Sequence, residues 1–200
     1  ITPFKINPAD ISVEEKKNLL FDAAKAHHKS VVSKQLAYHD STKERHFLNS
    51  EGSNIHQTLY YAHSGAQITT KNHKNMETYY QSIGATKGYE FLKSNIHSNT
   101  TKAVKEAVAQ LKAIVPKGGT FPIIADPGLT DVFVHEAVGH SAEADHVLQK
   151  QTCLEGTEGK QIAPDHVTII DDGSILAGWG SYFYDDEGIP AKKTKIIDKG

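Results

Sequence analysis

Cysteine, methionine and tryptophan are scarce in this sequence, which has one of each among its 200 residues. The single cysteine, Cys153, excludes an intramolecular disulfide and suits a reducing environment, so we expect a cytoplasmic protein. Long apolar runs are absent too, because no stretch approaches the roughly 20 apolar residues that a membrane-spanning helix needs. These absences argue against a disulfide-stabilised scaffold and against a membrane as direct partner.

An excess of charge of either sign is also missing. The chain has 22 Lys+Arg against 24 Asp+Glu, a formal net charge of −2. Proteins that bind nucleic acid mainly through its phosphates usually present a basic excess. We therefore expect no direct nucleic-acid partner.

The two ends of the sequence predict that it is part of a longer protein. It begins with Ile1 rather than methionine, and it ends in "TKIIDKG" (194–200), a strand-like run followed by turn residues. The alternative is a complete small domain that has been processed.

Two amphipathic segments before Pro116 predict helices. Residues 12–27 begin with the capping box Ser12–Glu15, in which two side chains satisfy the first free amides of a helix. Residues 100–115 carry apolar side chains at helical spacing, and Pro116 follows them.

Short strands are predicted between these helices. Polar and apolar residues mix, with turn signals at 40–42 and 49–54 and a glycine, Gly65, further along. The many threonines and tyrosines in these segments are typical of a sheet with one solvent-exposed face. This pattern predicts an antiparallel meander backed by the two helices.

Pro-Lys-Gly-Gly at 116–119 predicts a boundary between two domains, 1–116 and 117–200. The second domain should open with a short buried strand in 120–128 and a helix over 129–148. Strands should follow in 165–173 and, as a pair joined through 185–190, in 178–197. The predicted fold class is therefore α+β: a meander sheet backed by helices, then the start of a second mixed domain headed by the 129–148 helix.

That helix contains "HEAVGH", with His135, Glu136 and His140 inside an apolar stretch. A helix that is apolar nearly all round should be buried. A buried carboxylate needs a counter-charge, and a divalent cation would supply one. A lone histidine here would more simply be a hydrogen-bonded core residue, but two histidines with an adjacent glutamate favour a metal site.

The spacing of the two histidines is unusual for such a site. A helix turns about 100° per residue, so residues five apart point about 140° away from each other. A regular helix could not direct His135 and His140 at one ion. A π-bulge, or a helix loosened at Gly139, would bring them together. The motif therefore predicts an irregular helix near 138–140.

The chemistry of such a site would suit zinc. A catalytic zinc takes three protein ligands and a water molecule, and His135 and His140 would supply two of the three. Glu136 would act as the general base toward the metal-bound water. Candidates for the third ligand are Glu143, Asp145, His146 and Cys153, although each is more simply a solvated helix-end group or an inert loop thiol.

Several segments together resemble the TldD branch of the TldD/PmbA peptidases. These are "HEAVGH" followed by "EAD", then "VTIIDDG" and "GSYFYDDEGIPAKKTKIIDKG", with "NSEG" and "TKAVKEAVAQLKAIVPKGGTFPIIADPG" upstream. The H-E-x-x-x-H motif combined with the later D-D-E-G-x-P string is specific. The resemblance implies a cytoplasmic prokaryotic zinc metallopeptidase that cuts unstructured peptides. An older name for the family is modulator of DNA gyrase.

For the site, the resemblance implies that His135 and His140 are zinc ligands and Glu136 the catalytic glutamate. The third ligand of the family is a cysteine far along the C-terminal part, which Cys153 does not match, so it should lie outside these 200 residues. Zinc binding by this chain alone should therefore be weak. The resemblance makes 1–116 the middle domain and 117–200 the first part of the catalytic domain. It also implies a dimer, with a TldE/PmbA-like sister subunit or with a second copy.

Three functions stay open at this point. The first is a TldD-type zinc peptidase acting on unstructured peptides. The second is a non-catalytic subunit or scaffold of the gyrase-modulator type, which binds peptide or protein without cutting it. The third is a small β-rich binding module in which "HEAVGH" is part of the core. The intact His-Glu-His set favours the first.

Overall fold

The computed structural model describes residues 4–200. The chain forms two compact units: the part up to Pro116 together with Ser174–Ala191, and Lys117–Gly173 together with Lys192–Gly200. The secondary structure is mixed, with helices and an antiparallel sheet, which confirms the predicted α+β class. No helix among the described residues is both long and apolar enough to cross a lipid bilayer.

The first helix, α1 (Val13–Ala23), is shorter than predicted. Its start is as predicted, because the Ser12 hydroxyl accepts a hydrogen bond from the Glu15 amide at 3.1 Å. At its end, the Lys34 ammonium donates to the carbonyls of Ala24 and Ala26 at 2.5 and 2.7 Å. The Lys34 cation supplies hydrogen bonds to carbonyls that have no partner within the helix. The helix therefore ends before residue 27.

The sheet has three antiparallel strands in the order β1 (Val31–Leu48), β2 (Asn54–Lys71) and β3 (Met76–Ala85). The predicted turn at 49–54 is confirmed. There the Asn49 side chain accepts hydrogen bonds from the Glu51 and Ser53 amides.

The predicted turn at 40–42 and the break at Gly65 are wrong, because β1 and β2 each run unbroken for 18 residues. Asp40 pairs in register with Ala62 and forms an ion pair with Lys16 at 2.7 Å. At Gly65, an added Cβ would lie 2.5 Å from the Tyr80 hydroxyl oxygen. The glycine therefore makes room for a ring on the neighbouring strand and does not end its own strand.

The long helix α2 (Tyr89–Gln110) begins eleven residues before the predicted start at 100. Its first half carries many polar side chains, which hid the helical pattern of Leu92 and Ile96. These apolar residues continue into Ala103 and Ala107, and the whole stripe is buried. The stripe is the helix face of the core.

This face packs on β2. Ala66 and Ile68 of the strand form one buried cluster with Ala103, Val104 and Ala107. The buried Thr70 hydroxyl also donates to the Ala107 carbonyl at 2.9 Å, which joins strand to helix. The core of the first unit thus lies between α2 and the sheet.

Ser174–Ala191 also belongs to the first unit. The Trp179 ring lies so close to Gly84 that an added Cβ would meet it at 2.7 Å. The buried Gln57 side chain accepts from the Phe183 and Tyr184 amides and donates to the Tyr184 carbonyl. Of the strand pair predicted in 178–197, the second strand forms at Lys193–Ile197, but the predicted pairing is wrong. The first strand is reduced to one isolated bridge, Tyr184 to Pro190.

The second unit contains α3 (Pro127–Val134), a π-helical turn (His135–Gly139), a 3-10 turn (His140–Ala142) and α4 (Ala144–Leu148). It also holds β4 (Ile169–Asp172), which confirms the strand predicted in 165–173, paired antiparallel with β5 (Lys193–Ile197). The buried strand predicted in 120–128 is wrong: residues 120–126 form no strand and are exposed. Their apolar side chains find no strand partner among the described residues.

Candidate metal centre

The motif begins on a well-capped helix. Asp126 is the N-cap of α3, and its carboxylate accepts a hydrogen bond from the Leu129 amide at 2.9 Å. Pro127 occupies the first turn, where its missing N–H costs nothing. The cap therefore fixes where the helix starts, and so the turn on which His135 falls.

The helix is irregular at the predicted place. The His140 amide donates to the His135 carbonyl, an i→i−5 hydrogen bond, and His135–Gly139 form a π-helical turn. This confirms the prediction of an irregular helix near 138–140. Residues five apart come nearly into line on such a turn.

The sequence left open a π-bulge or a helix loosened at Gly139, and the structure shows the π-turn. Gly139 itself does not require this turn. Gly139 has φ −55° and ψ −60°, an ordinary right-handed helical conformation. An added Cβ would meet its nearest neighbour, the Val134 carbonyl oxygen, at 3.8 Å. Space and backbone conformation at this position would therefore accept an alanine.

The π-turn brings the three motif side chains together. The rings of His135 and His140 have centroids 4.4 Å apart with their planes at 75°. His135, Glu136 and His140 each offer one potential ligand atom, and these atoms all lie within 4.8 Å of one another. Two imidazoles and a carboxylate at this spacing could hold a divalent metal ion.

The predicted burial of this segment is wrong. His135 and Glu136 are exposed and His140 is half-buried. On the preceding helix, Val132 and Phe133 are also exposed, because no described residue covers them. The argument that a buried carboxylate needs a counter-charge therefore does not apply here, and the case for a metal rests on the geometry.

The candidates for a third ligand do not join His135. Glu143, Asp145 and His146 form a second group, again within 4.8 Å of one another. Cys153 is exposed and belongs to neither group.

The contact between His140 and Glu143 was not predicted from the sequence. The Nδ1 atom of His140 lies 2.8 Å from Oε1 of Glu143. The i, i+3 spacing of the two residues is the sequence signal for this contact.

Comparison with known proteins gives the family. Residues 6–113 match the model described as the PmbA/TldA metallopeptidase central domain, and residues 118–200 the model of the C-terminal domain. The chain belongs to the PmbA/TldD metallopeptidase family. The family resemblance seen in the motifs is thereby confirmed.

Curated relatives carry the same family name or activity. A protein named metalloprotease from Methanocaldococcus jannaschii is 38% identical over 197 residues, covering 98% of this chain and 44% of the relative. One of the same name from Methanothermobacter thermautotrophicus is 40% identical, covering 96% and 43%. A zinc metalloprotease TldD homolog from Saccharolobus solfataricus is 28% identical, covering 86% and 39%. The chain spans less than half the length of these relatives.

Solved structures share the fold. A Thermotoga maritima protein described as a modulator of a DNA gyrase matches with TM-score 0.82 and 21% identity, over 100% of this chain and 46% of that one. TldE from Thermococcus kodakarensis matches with TM-score 0.69 and 21% identity, over 96% and 42%. At this identity the likeness concerns the fold of the PmbA/TldD family.

Proposed function

We propose that this chain carries part of the active site of a zinc-dependent peptidase of TldD type that hydrolyses unstructured peptides. The π-turn carries the proposal, because it places His135 and His140 beside Glu136 despite their five-residue spacing. A structural role for two histidines would need no such distortion. The metalloprotease names of the relatives support the same function.

The donor set fits zinc. Imidazole nitrogen is a preferred zinc ligand, and catalytic sites combine three protein ligands with an open position. His135 and His140 would supply two ligands, and the exposure of the motif leaves room for a third and for a substrate. We propose that the third protein ligand lies outside these 200 residues.

Glu136 is proposed as the general base and later the general acid. Zinc, when bound, would supply Lewis-acid catalysis, polarising the scissile carbonyl and lowering the pKa of water. The Glu136 carboxylate would accept the proton of the attacking water and pass it to the leaving amine. Its exposed position beside the two histidines would let an extended peptide reach it.

We further propose that the complete protein works in the cytoplasm as a dimer, with a TldE/PmbA-like sister subunit or with a second copy. The fold match to TldE supports a related pair of subunits. The near-neutral charge of the chain, −2 overall, gives no reason to add a nucleic-acid partner.

Two substitutions test the assigned roles. Glu136→Gln keeps the shape of the side chain but cannot accept a proton, so peptide cleavage should fall about 10²- to 10⁴-fold while zinc stays bound. His135→Ala removes a ligand, so zinc and activity should be lost together. Zinc per chain and cleavage of an unstructured peptide should be measured on the complete protein with its partner subunit.

Glu155→Gln is the matched control, because Glu155 is an exposed carboxylate in the same unit and in neither candidate metal group. It should leave both quantities unchanged. Near-normal turnover by Glu136→Gln would disprove the peptidase mechanism and favour a non-catalytic binding subunit.

A further inference from the structure

We infer that Glu143 is a positioning residue for His140: it fixes which ring nitrogen of His140 faces the metal. The inference rests on the proposed function, since it deepens the account of the same site. It starts from a contact between two side chains, His140 of the motif and Glu143 of the second group of potential ligands.

The contact defines the tautomer of His140. Its Nδ1 atom lies 2.8 Å from Oε1 of Glu143. An ionised carboxylate can only accept hydrogen bonds, so Nδ1 must carry the proton. A neutral ring then keeps its lone pair on Nε2, and this is the nitrogen left to bind a metal.

The backbone of His140 is held from a second side. The Nδ1 atom of His146 lies 2.7 Å from the His140 carbonyl oxygen. A carbonyl can only accept, so this ring donates to it. The Glu143 amide donates to the same carbonyl at 3.3 Å. The ring and the carbonyl of His140 are therefore both fixed by residues just downstream.

The local backbone explains why Glu143 reaches the ring. The 3-10 turn His140–Ala142 follows the π-turn directly, and Glu143 leaves it with an extended backbone at φ −69° and ψ 134°. A 3-10 turn places residues three apart on the same face. The carboxylate of Glu143 therefore lies against the ring of His140. Glu143 was a candidate for the third metal ligand, and here it supports His140, the second ligand of the motif.

The contact contributes little to folding. The side chains of His140 and Glu143 are 44% and 47% exposed, and ion pairs at such exposure add little to stability. Replacing Glu143 should therefore leave the protein folded. An effect on metal binding can then be separated from an effect on structure. The competing explanation is an incidental ion pair at a helix end, which would leave metal binding unchanged.

The first experiment needs no metal. Imidazole ¹⁵N spectra of the metal-free complete protein, at a pH where the ring is neutral, report the tautomer of His140. We expect the Nδ1–H form in the unsubstituted protein and loss of that preference in Glu143→Ala. Glu143→Gln, whose amide oxygen still accepts, should retain it. A predominantly Nε2–H ring in the unsubstituted protein would overturn the inference.

The second experiment measures zinc affinity by competition with a chromophoric chelator. Glu143→Ala should bind zinc about 10- to 100-fold more weakly, as losses of such supporting groups typically do. Glu143→Gln should recover most of the affinity, and the control Glu155→Ala should match the unsubstituted protein. Unchanged affinity in folded Glu143→Ala would overturn the inference.

The two proposals fail in different ways. If Glu143→Ala weakens zinc binding but the unsubstituted protein cuts no peptide, the positioning role stands and the peptidase function fails. If the protein cuts peptides and Glu143→Ala binds zinc normally, the function stands and the positioning role fails. Should Glu143→Ala not fold by circular dichroism, Glu143→Gln decides, because loss of the Nδ1–H tautomer there overturns the inference.

Discussion

The two units of the chain differ in how their residues are held. In the first unit, Ile68, Leu92 and Ile96 are almost completely buried between the sheet and α2. In the second, the apolar side chains around the motif, such as Ile124, Leu129 and Phe133, are mostly exposed. The geometry of the motif depends instead on hydrogen bonds between residues close in sequence.

This difference indicates that the first unit provides most of the stability and the second unit provides the chemistry. Burial of apolar surface is the main favourable term in folding, so the first unit should supply most of the stability of this chain. The second unit carries the candidate metal group. Substitutions in the first unit should therefore change unfolding, whereas substitutions in the motif should change metal binding and leave unfolding nearly unchanged.

The largest stability effect should come from a paired comparison of Ile68→Ala and Phe133→Ala. Ile68 is 0% exposed in the core, and its truncation should cost about 2–5 kcal/mol. Phe133 is 68% exposed, so its truncation should cost less than about 1 kcal/mol. Urea unfolding of the 200-residue chain would measure both.

Equal losses of unfolding free energy in the two variants would contradict this difference between the units, because they would show that the second unit is packed as firmly as the first. A control for the method is Glu155→Ala, which should stay within about 0.5 kcal/mol of the parent chain.

A smaller effect should appear at alkaline pH. Tyr89 is 2% exposed, and burial, followed by its hydrogen bond to Glu15, raises its pKa to about 12. Burial also raises the pKa of Tyr38. Because the folded state holds these protons more tightly than the unfolded state, both contributions are full below about pH 10, and that of Tyr89 is lost as pH rises through about 12.

The free energy of unfolding should then fall by at most about 1.4 kcal/mol per pH unit for each tyrosine. Tyr89→Phe, which has no phenol to ionise, should show a shallower fall from pH 10 to 12. The second unit contains no tyrosine, so the effect belongs to the first. The same slope in both proteins would contradict this account.

The smallest effect should come from Gly139→Ala in the π-turn. The backbone there is right-handed helical and an added Cβ has room, so alanine should change stability by no more than about 1 kcal/mol, toward greater stability. Zinc affinity should stay within about twofold. A large loss of affinity would show that glycine itself is needed to form the site.

Local signals in the sequence predicted local structure well. The Ser12–Glu15 cap, the turn at 49–54 and the distortion near Gly139 each depend on residues within a few positions of one another. Capping, turn chemistry and helical angle act over the same short range, so a single sequence can reveal them.

Features that depend on distant residues were not predictable in the same way. Gly65 suggested a break, but the Tyr80 ring on the next strand uses the space. The early half of α2 was missed because its many polar side chains hid the helical pattern of the buried Leu92 and Ile96. At 120–126, apolar residues suggested a buried strand, yet no described residue pairs with them.

At the candidate site, the residue types were visible in the sequence but their arrangement was only partly so. The five-residue spacing implied a distorted helix, and the π-turn followed from it. The role of Glu143 could not follow, because its contact with His140 depends on the 3-10 turn that comes next. Burial of the motif was predicted from its apolar neighbours, and their exposure shows that hydrophobic residues alone do not determine burial.

The most direct test of the central claim is the position of zinc in the complete protein. Diffraction data collected on either side of the zinc absorption edge would locate the ion without assumptions about the ligands. The account predicts one site, about 2.0–2.1 Å from a ring nitrogen of His135 and from Nε2 of His140. A zinc ion bound instead by Glu143, Asp145 and His146, or none near the π-turn, would contradict it.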